Sequence, residues 1–259
     1  MDVDDLIFQG ADYHYKGELD KAIAKFQAAV RIEPQNEYAH NQLGILYAKK
    51  ERFDAAFREF QKVAQIDGHN TYALLWLGIL YLKQGNLNQG FEKFRRIIEI
   101  DPNNADAYYF LGAIYNFRHN TAKAIKYLKK ARDADSDESD THYRLAQAFH
   151  NLDMTANALL EYQRTLALKP SHTKAINGIG WLYYNRGERD AAIAEWKKTL
   201  KMNPRDRDAI FNLAKAYNDF AWEAMKRNKP KEAISYWKKT LGVDPKNKAA
   251  VHYLKKYKA

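Results

Sequence analysis

The chain has 259 residues, 46% hydrophobic and 29% charged, a formal net charge of +10, 6 prolines, 12 glycines and no cysteine. The missing cysteine excludes disulfides, thiol catalysis and zinc sites built on Cys, and no Gly/Ser-rich or Pro-rich stretch separates two halves as a flexible linker would. There is no run of about 18 apolar residues, and the opening MDVDDLIFQG lacks the basic and apolar regions of a secretory signal. The chain therefore reads as soluble and cytoplasmic, or as periplasmic or anchored if a signal was removed.

Self-similarity organises everything else. Pro34, Pro102, Pro170 and Pro204 stand 68, 68 and 34 residues apart, which sets a period of 34. In chain order the blocks are 3–36, 37–70, 71–104, 105–138, 139–172 and 173–206, then a seventh at 207–247 that is longer by seven residues. Apolar residues recur at i, i+3, i+4 and i+7 in segments such as LGILY and LGAIY, so each block is two short helices and a strand reading fails despite the many tyrosines. Gly17, Gly85 and Gly187 are placed to end the first helix of their blocks in a left-handed conformation.

Small residues mark where the two helices of a block approach. They are Gly44, Gly78, Gly112, Ala146, Gly180 and Ala214 on the first helices, and Ala22, Ala56, Ala124, Ala158, Ala192 and Ala233 on the second. In the third block the spaced set is Leu74, Leu77, Gly78, Tyr81, Gly90, Phe94, Ile97 and Pro102; in the sixth it is Ile176, Ile179, Gly180, Tyr183, Ala192, Trp196, Thr199 and Pro204. On these residues the chain resembles the tetratricopeptide-repeat (TPR) family over residues 3 to 247. The resemblance implies an all-α fold, a single right-handed superhelical solenoid of seven helix-turn-helix repeats. Residues 248–259 keep Val251 and Leu254 but then place Lys255, Lys256 and Lys258 where more core would follow, which reads as a capping helix. The first repeat starts at once and has no matching cap, so its face is open to assembly unless a segment precedes it.

The seventh block holds its extra seven residues between Tyr217 and Ala233, about two helical turns or roughly 10 Å. Its first helix can run from about Asp208 to Arg227, with Pro230 opening the next. The extension is either a plain elongation or a side contact made by Phe220, Trp222 and Met225.

No phosphate loop, dinucleotide fingerprint, HExxH, GxSxG or Cys nucleophile occurs, so no catalytic residue, metal or cofactor is assigned. His40 and His142 fall where Leu74 and Tyr108 fall in other repeats, a packing position, and His142 and His150 are too far apart for an i, i+4 metal pair. The acidic run from Asp133 to Asp140 lacks the glycine and terminal Glu of an EF-hand loop and reads as a solvated turn.

The resemblance also implies that the first helices line a concave face, with repeat positions 2, 5, 9, 12 and 13 pointing into it. Projected here, these positions carry Tyr38, Tyr72, Tyr109, Tyr143, Trp181, Tyr184 and Phe211, interleaved with Asn41, Asn116 and Asn177. Rings give contact area at low entropic cost, and amides both donate to and accept from a peptide backbone. A protein scaffold or adaptor holding an extended peptide or helix of a partner follows, in assembly of a multiprotein complex. Position 5 carries no lysine, which argues against the carboxylate clamp that some relatives use on chaperone tails. Charge supplies two competing readings. Residues 1–172 hold 22 basic and 23 acidic side chains, while 173–259 hold 20 and 9. The basic end, with Lys238, Lys239, Lys255, Lys256 and Lys258, suits nucleic acid or an anionic surface; the open first repeat suits self-assembly.

Overall fold

The computed structural model describes residues 2–257. Among them there are fifteen α-helices and no strand. They fall into two compact units, Met1–Ser136 and Asp137–Ala259. The first unit holds four helical hairpins: α1 (Val3–Tyr15) with α2 (Leu19–Ile32), α3 (Glu37–Lys49) with α4 (Phe53–Ile66), α5 (Thr71–Lys83) with α6 (Leu87–Ile100), and α7 (Ala105–Phe117) with α8 (Thr121–Ala134). The second holds α9 (Ser139–Asn151) with α10 (Thr155–Leu168), α11 (Thr173–Asn185) with α12 (Arg189–Met202), and α13 (Arg207–Lys226) with α14 (Pro230–Val243), followed by α15 (Lys248–Lys256).

The hairpins begin and turn on chemistry that repeats with the period. Asn36, Asn70 and Asn104 each accept a hydrogen bond from the backbone N–H three residues on, at 2.9, 2.8 and 3.0 Å, and Asp206 and Asn247 do the same in the second unit at 2.9 and 3.2 Å. Such caps contribute about 1 kcal/mol each. Gly17, Gly85 and Gly187 are left-handed at φ 75°, 79° and 82°, as their position requires. The same phase in the other hairpins is held by Glu51, His119, Asp153 and Asn228 at φ 55–57°, so the turn geometry prevails even where glycine is missing.

Inside each hairpin a ring or a leucine covers a small residue. A Cβ on Gly78 would stand 2.6 Å from the Phe94 ring, and one on Gly44 would stand 2.7 Å from Phe60. Between hairpins of the first unit the same rings stack on the next first helix, Phe60 on Trp76 at 5.4 Å and Phe94 on Phe110 at 4.8 Å. The face making this seam also buries Ala39, Leu43 and Leu46, and again Ala73, Leu77 and Leu80. At the corresponding places α1 carries Asp5, Gln9 and Asp12. This helix is therefore polar along its seam face; Phe8 is the exception, with 76% of its surface exposed.

His40 and His142 are buried, and each donates from Nδ1 to a carboxylate 19 residues on, Glu59 and Glu161, at 2.6 Å. His40 also reaches the Pro34 carbonyl through Nε2 at 3.0 Å. The Glu59 hydrogen bond raises the His40 pKa above its ordinary 6.5, against the opposing effect of burial. The protonated ring is thus favoured by folding. Its contribution is complete below pH 6.5 and is lost as pH rises through the elevated value. Glu59→Gln should cost about 1.5–3 kcal/mol at pH 6 and distinctly less at pH 8.5. Denaturant titrations of both proteins at the two pH values check this, and an equal cost at both would contradict it.

The seventh hairpin departs from the rest in register. α13 is 20 residues long against 13 for the other first helices. Its opening half docks on α12, with Ala209, Leu213, Ala216 and Tyr217 in one cluster with Ile193 and Trp196. Its closing half docks on α14, with Ala221 and Ala224 clustered with Ala233 and Trp237. Hydrogen bonds identify the second register. Thr199 Oγ1 donates to Asn177 Oδ1 and the Asn177 amide donates to Asp206, at 3.0 and 3.1 Å; Thr240 donates to Asn218, and Asn218 to Asn247, both at 3.3 Å, with identical sequence separations of 22 and 29. Asn218 is therefore the counterpart of Asn177 one repeat later, displaced by 41 residues, and Trp222 is the counterpart of Trp181. The final hairpin is stepped along α13 by two turns, roughly 10 Å.

Candidate functional site

Within the second unit, the first helices α9, α11 and α13 line an open cleft of about 550 Å³. Tyr143, Trp181 and Phe211 supply its aromatic surface, and Gln147, His150, Lys174 and Asp208 its polar rim and floor. Phe211 is 64% exposed. The other ring at its repeat position in this unit, Tyr143, is only half-buried, lying 6.1 Å from Tyr162 and 4.6 Å from His172. The step in α13 explains the difference, because α14 pairs with the later turns and leaves the turns bearing Asp208 and Phe211 standing as an uncovered ledge.

The polar groups of the cleft are arranged for neutral hydrogen bonding. Gln147 Oε1 is buried without a hydrogen-bond partner. Such an acceptor costs about 1–3 kcal/mol until a donor reaches it. Burial lowers the His150 pKa and raises that of Tyr143, so at neutral pH the imidazole and the phenol are both uncharged. Lys174 and Asp208 set one charge of each sign at the rim.

The residues named from the sequence divide here. Tyr143, Trp181 and Phe211 come together in the cleft. Asn177 lies beneath them, 5% exposed, and its amide is taken up by Thr199 and Asp206; it props the floor and has no free end to offer. Tyr184 packs on Trp181 at 5.4 Å and Trp196 at 5.8 Å. Its hydroxyl donates to Asp219 and accepts from Lys215 at 3.0 Å, which fastens α11 to α13. Gln147, His150, Lys174 and Asp208 occupy repeat positions 9, 12, 2 and 2, yet none was assigned to the concave face from the sequence, because they are neither rings nor asparagines.

In the first unit Tyr38 and Tyr72 are 49% and 43% exposed and meet buried Phe26 and Phe60 edge-on at 6.3 and 6.4 Å. Tyr109 is half-buried, 5.1 Å from Phe110. Asn41 and Asn116 each bury an Oδ1 that lacks a hydrogen-bond partner. Amides with an orphaned oxygen thus recur on the first helices of both units.

The side contact suggested for the seventh repeat is mostly internal. Phe220 stacks on Tyr236 at 5.1 Å beneath the Arg189 guanidinium, and Met225 packs into the cluster around Trp237. Trp222 keeps 40% of its surface exposed, its ring edge-on to Tyr253 at 4.6 Å. Of the basic end, Lys238, Lys239, Lys255 and Lys256 are exposed, Lys239 over the Tyr236 ring at 4.8 Å; Lys258 lies outside the described residues. No helix among the described residues is long and apolar enough to cross a membrane.

Comparison with known proteins agrees with this architecture. Family models described as TPR repeat or tetratricopeptide repeat match residues 10–51, 47–90, 93–126, 117–173 and 177–220. No curated protein matches the chain in sequence at a significant level. Among solved structures, MamA is 29% identical with a TM-score of 0.56, over 63% of this chain and 95% of that one. YrrB is 18% identical with a TM-score of 0.57, over 72% of this chain and 96% of that one. PilF of Pseudomonas aeruginosa is 17% identical with a TM-score of 0.71, over 80% of this chain and 94% of that one. Helical hairpins on a period of 34, successive repeat matches over most of the length and these structural likenesses agree: the chain belongs to the tetratricopeptide-repeat family.

Proposed function

We propose that the protein is a non-catalytic scaffold that holds an extended peptide or a helix of a partner protein against its first helices, in assembly of a multiprotein complex. The observation that carries this reading is the cleft of the second unit, lined by the rings of Tyr143, Trp181 and Phe211 and by Gln147, whose amide oxygen has no hydrogen-bond partner. Rings bury apolar side chains of a ligand, and an orphaned acceptor gains a hydrogen bond from a backbone N–H at no cost to any existing one. YrrB, whose fold this chain shares, is described as having an unusual peptide-binding site, which supports peptide capture as a use of this architecture.

The test uses immobilised wild-type protein and a Trp181→Ala/Phe211→Ala variant, each exposed to extract of the source cells with and without nuclease. A protein partner should be retained by the wild type and fall at least tenfold in the variant, about 1.4 kcal/mol or more, without regard to nuclease. Retention that the variant leaves intact and nuclease abolishes would move the function to the exposed lysines of the basic end, with the steep salt dependence of polyanion binding.

A further inference from the structure

The two ends of the chain present matching stripes of opposite charge, each with one uncovered apolar side chain at its centre. On α1, Asp4 and Asp5 are exposed and lie one turn before Phe8, whose ring is 76% exposed. Asp12 follows one turn later, bridged to Lys16 at 2.7 Å. Carboxylates in the first turn complement the helix dipole, which accounts for their sign but not for the bare ring. In the repeats that follow, Trp76 and Phe110 occupy the place of Phe8 and stack on the preceding hairpin. Asp5, Gln9 and Asp12 replace the buried Ala, Leu and Leu of that seam, so this face is not shaped for another repeat of the ordinary kind.

On α15, Val251 occupies the place where other first helices bury a side chain against their own second helix, as His40, Leu74 and Ile176 do. Here it is 48% exposed, with Lys248 and Lys255, both exposed, one turn to either side. Lys255 stands where the other repeats carry Gly44, Gly78 or Gly180, and its bulk excludes a close-packed second helix. The stripe is thus lysine, valine, lysine, against aspartate, phenylalanine, aspartate on α1.

We propose that α1 of one copy seats antiparallel on α15 of a second copy, Phe8 covering Val251, Asp4 and Asp5 facing Lys255 and Asp12 facing Lys248, so that copies join head to tail. A contact between two different faces of the same chain is heterologous and continues from copy to copy, into open chains where the rotation does not close a ring. One apolar contact ringed by ion pairs gives a weak, salt-sensitive interface, since exposed pairs are screened within about 8 Å at physiological ionic strength. The contact uses neither the cleft nor its partner, so it stands or falls apart from the function proposed above.

Light scattering and sedimentation velocity on the tag-free full chain test it. At low salt the weight-average mass should rise with concentration past that of a dimer, and at about 0.5 M salt it should return to the monomer. Asp4→Lys/Asp5→Lys and Lys255→Glu should each be monomeric with unchanged far-UV circular dichroism. An equimolar mixture of the two, in which each reversed end meets an opposite one, should associate again. Phe8→Ser should weaken the wild-type association without any charge change. A monomer at every concentration at low salt, growth that both reversals leave intact, or a mixture that stays monomeric would each overturn the proposal. Association lost only in Trp181→Ala/Phe211→Ala would also overturn it, by placing the contact in the cleft.

Discussion

Removing Ala214–Phe220 should leave a folded, helical protein that no longer retains its partner. The deletion joins Leu213 to Ala221 and restores an ordinary 34-residue repeat, RDAIFNL running into AWEAMK, with Ala221 at the small position and Trp222 at the place of Trp181. Helix α14 would then pack two turns further back, beside the turns that carry Asp208 and Phe211. The ledge that walls the cleft exists because those turns have no second helix against them, as the 64% exposure of Phe211 records. The excision also removes Asp219, the acceptor of the Tyr184 hydroxyl, and displaces Glu223 from Arg189, so two ties between α11 or α12 and the extended helix go with it. Partner affinity should fall by more than the tenfold expected from truncating rings at the cleft, an effect above about 1.4 kcal/mol in a titration with the isolated partner. Undiminished affinity in the excised protein would mean that the step plays no part in binding.

Why the extension could be seen in the sequence while its register could not is a matter of helical phase. Seven residues are close to two full turns, so both readings of α13 keep the apolar stripe in line: Ala209 and Ala216 are both fully buried, and so are Ala214 and Ala221 or nearly so. Only polar partners separate the two, and Asn177 and Asn218 find theirs 22 and 29 residues away, beyond any local pattern. Asn177 shows the same limit from the other side. Its repeat position faces the cleft by family resemblance, but a threonine on α12 and the capping aspartate of α13 consume its amide first. The period, the pairing of short helices and the small positions were legible because they depend on spacing alone. Turn residues were half legible: glycine announces a left-handed site, whereas Glu51, His119, Asp153 and Asn228 adopt the same conformation under tertiary constraint.

Trp181 and Trp196 should separate binding from stability, although their rings are only 5.7 Å apart and meet edge to face. Trp196 is 1% exposed, covers Gly180, donates from Nε1 to the Asn177 carbonyl at 3.3 Å and supports both Trp181 and Tyr184. Trp196→Ala opens a cavity where a large ring was fully enclosed, so a loss of about 3–5 kcal/mol is expected. The cleft should fail with it, because its floor and one wall rest on that ring. Trp181 is half-buried and lines the cleft. Its truncation should cost about 1 kcal/mol of stability, near the centre of the range for single substitutions, while abolishing most of the partner binding. Denaturant unfolding paired with partner titration at a temperature where both variants are folded distinguishes the two roles. A Trp181→Ala protein as unstable as Trp196→Ala would make Trp181 a core residue, and the aromatic lining of the cleft would then be packing with no ligand to serve.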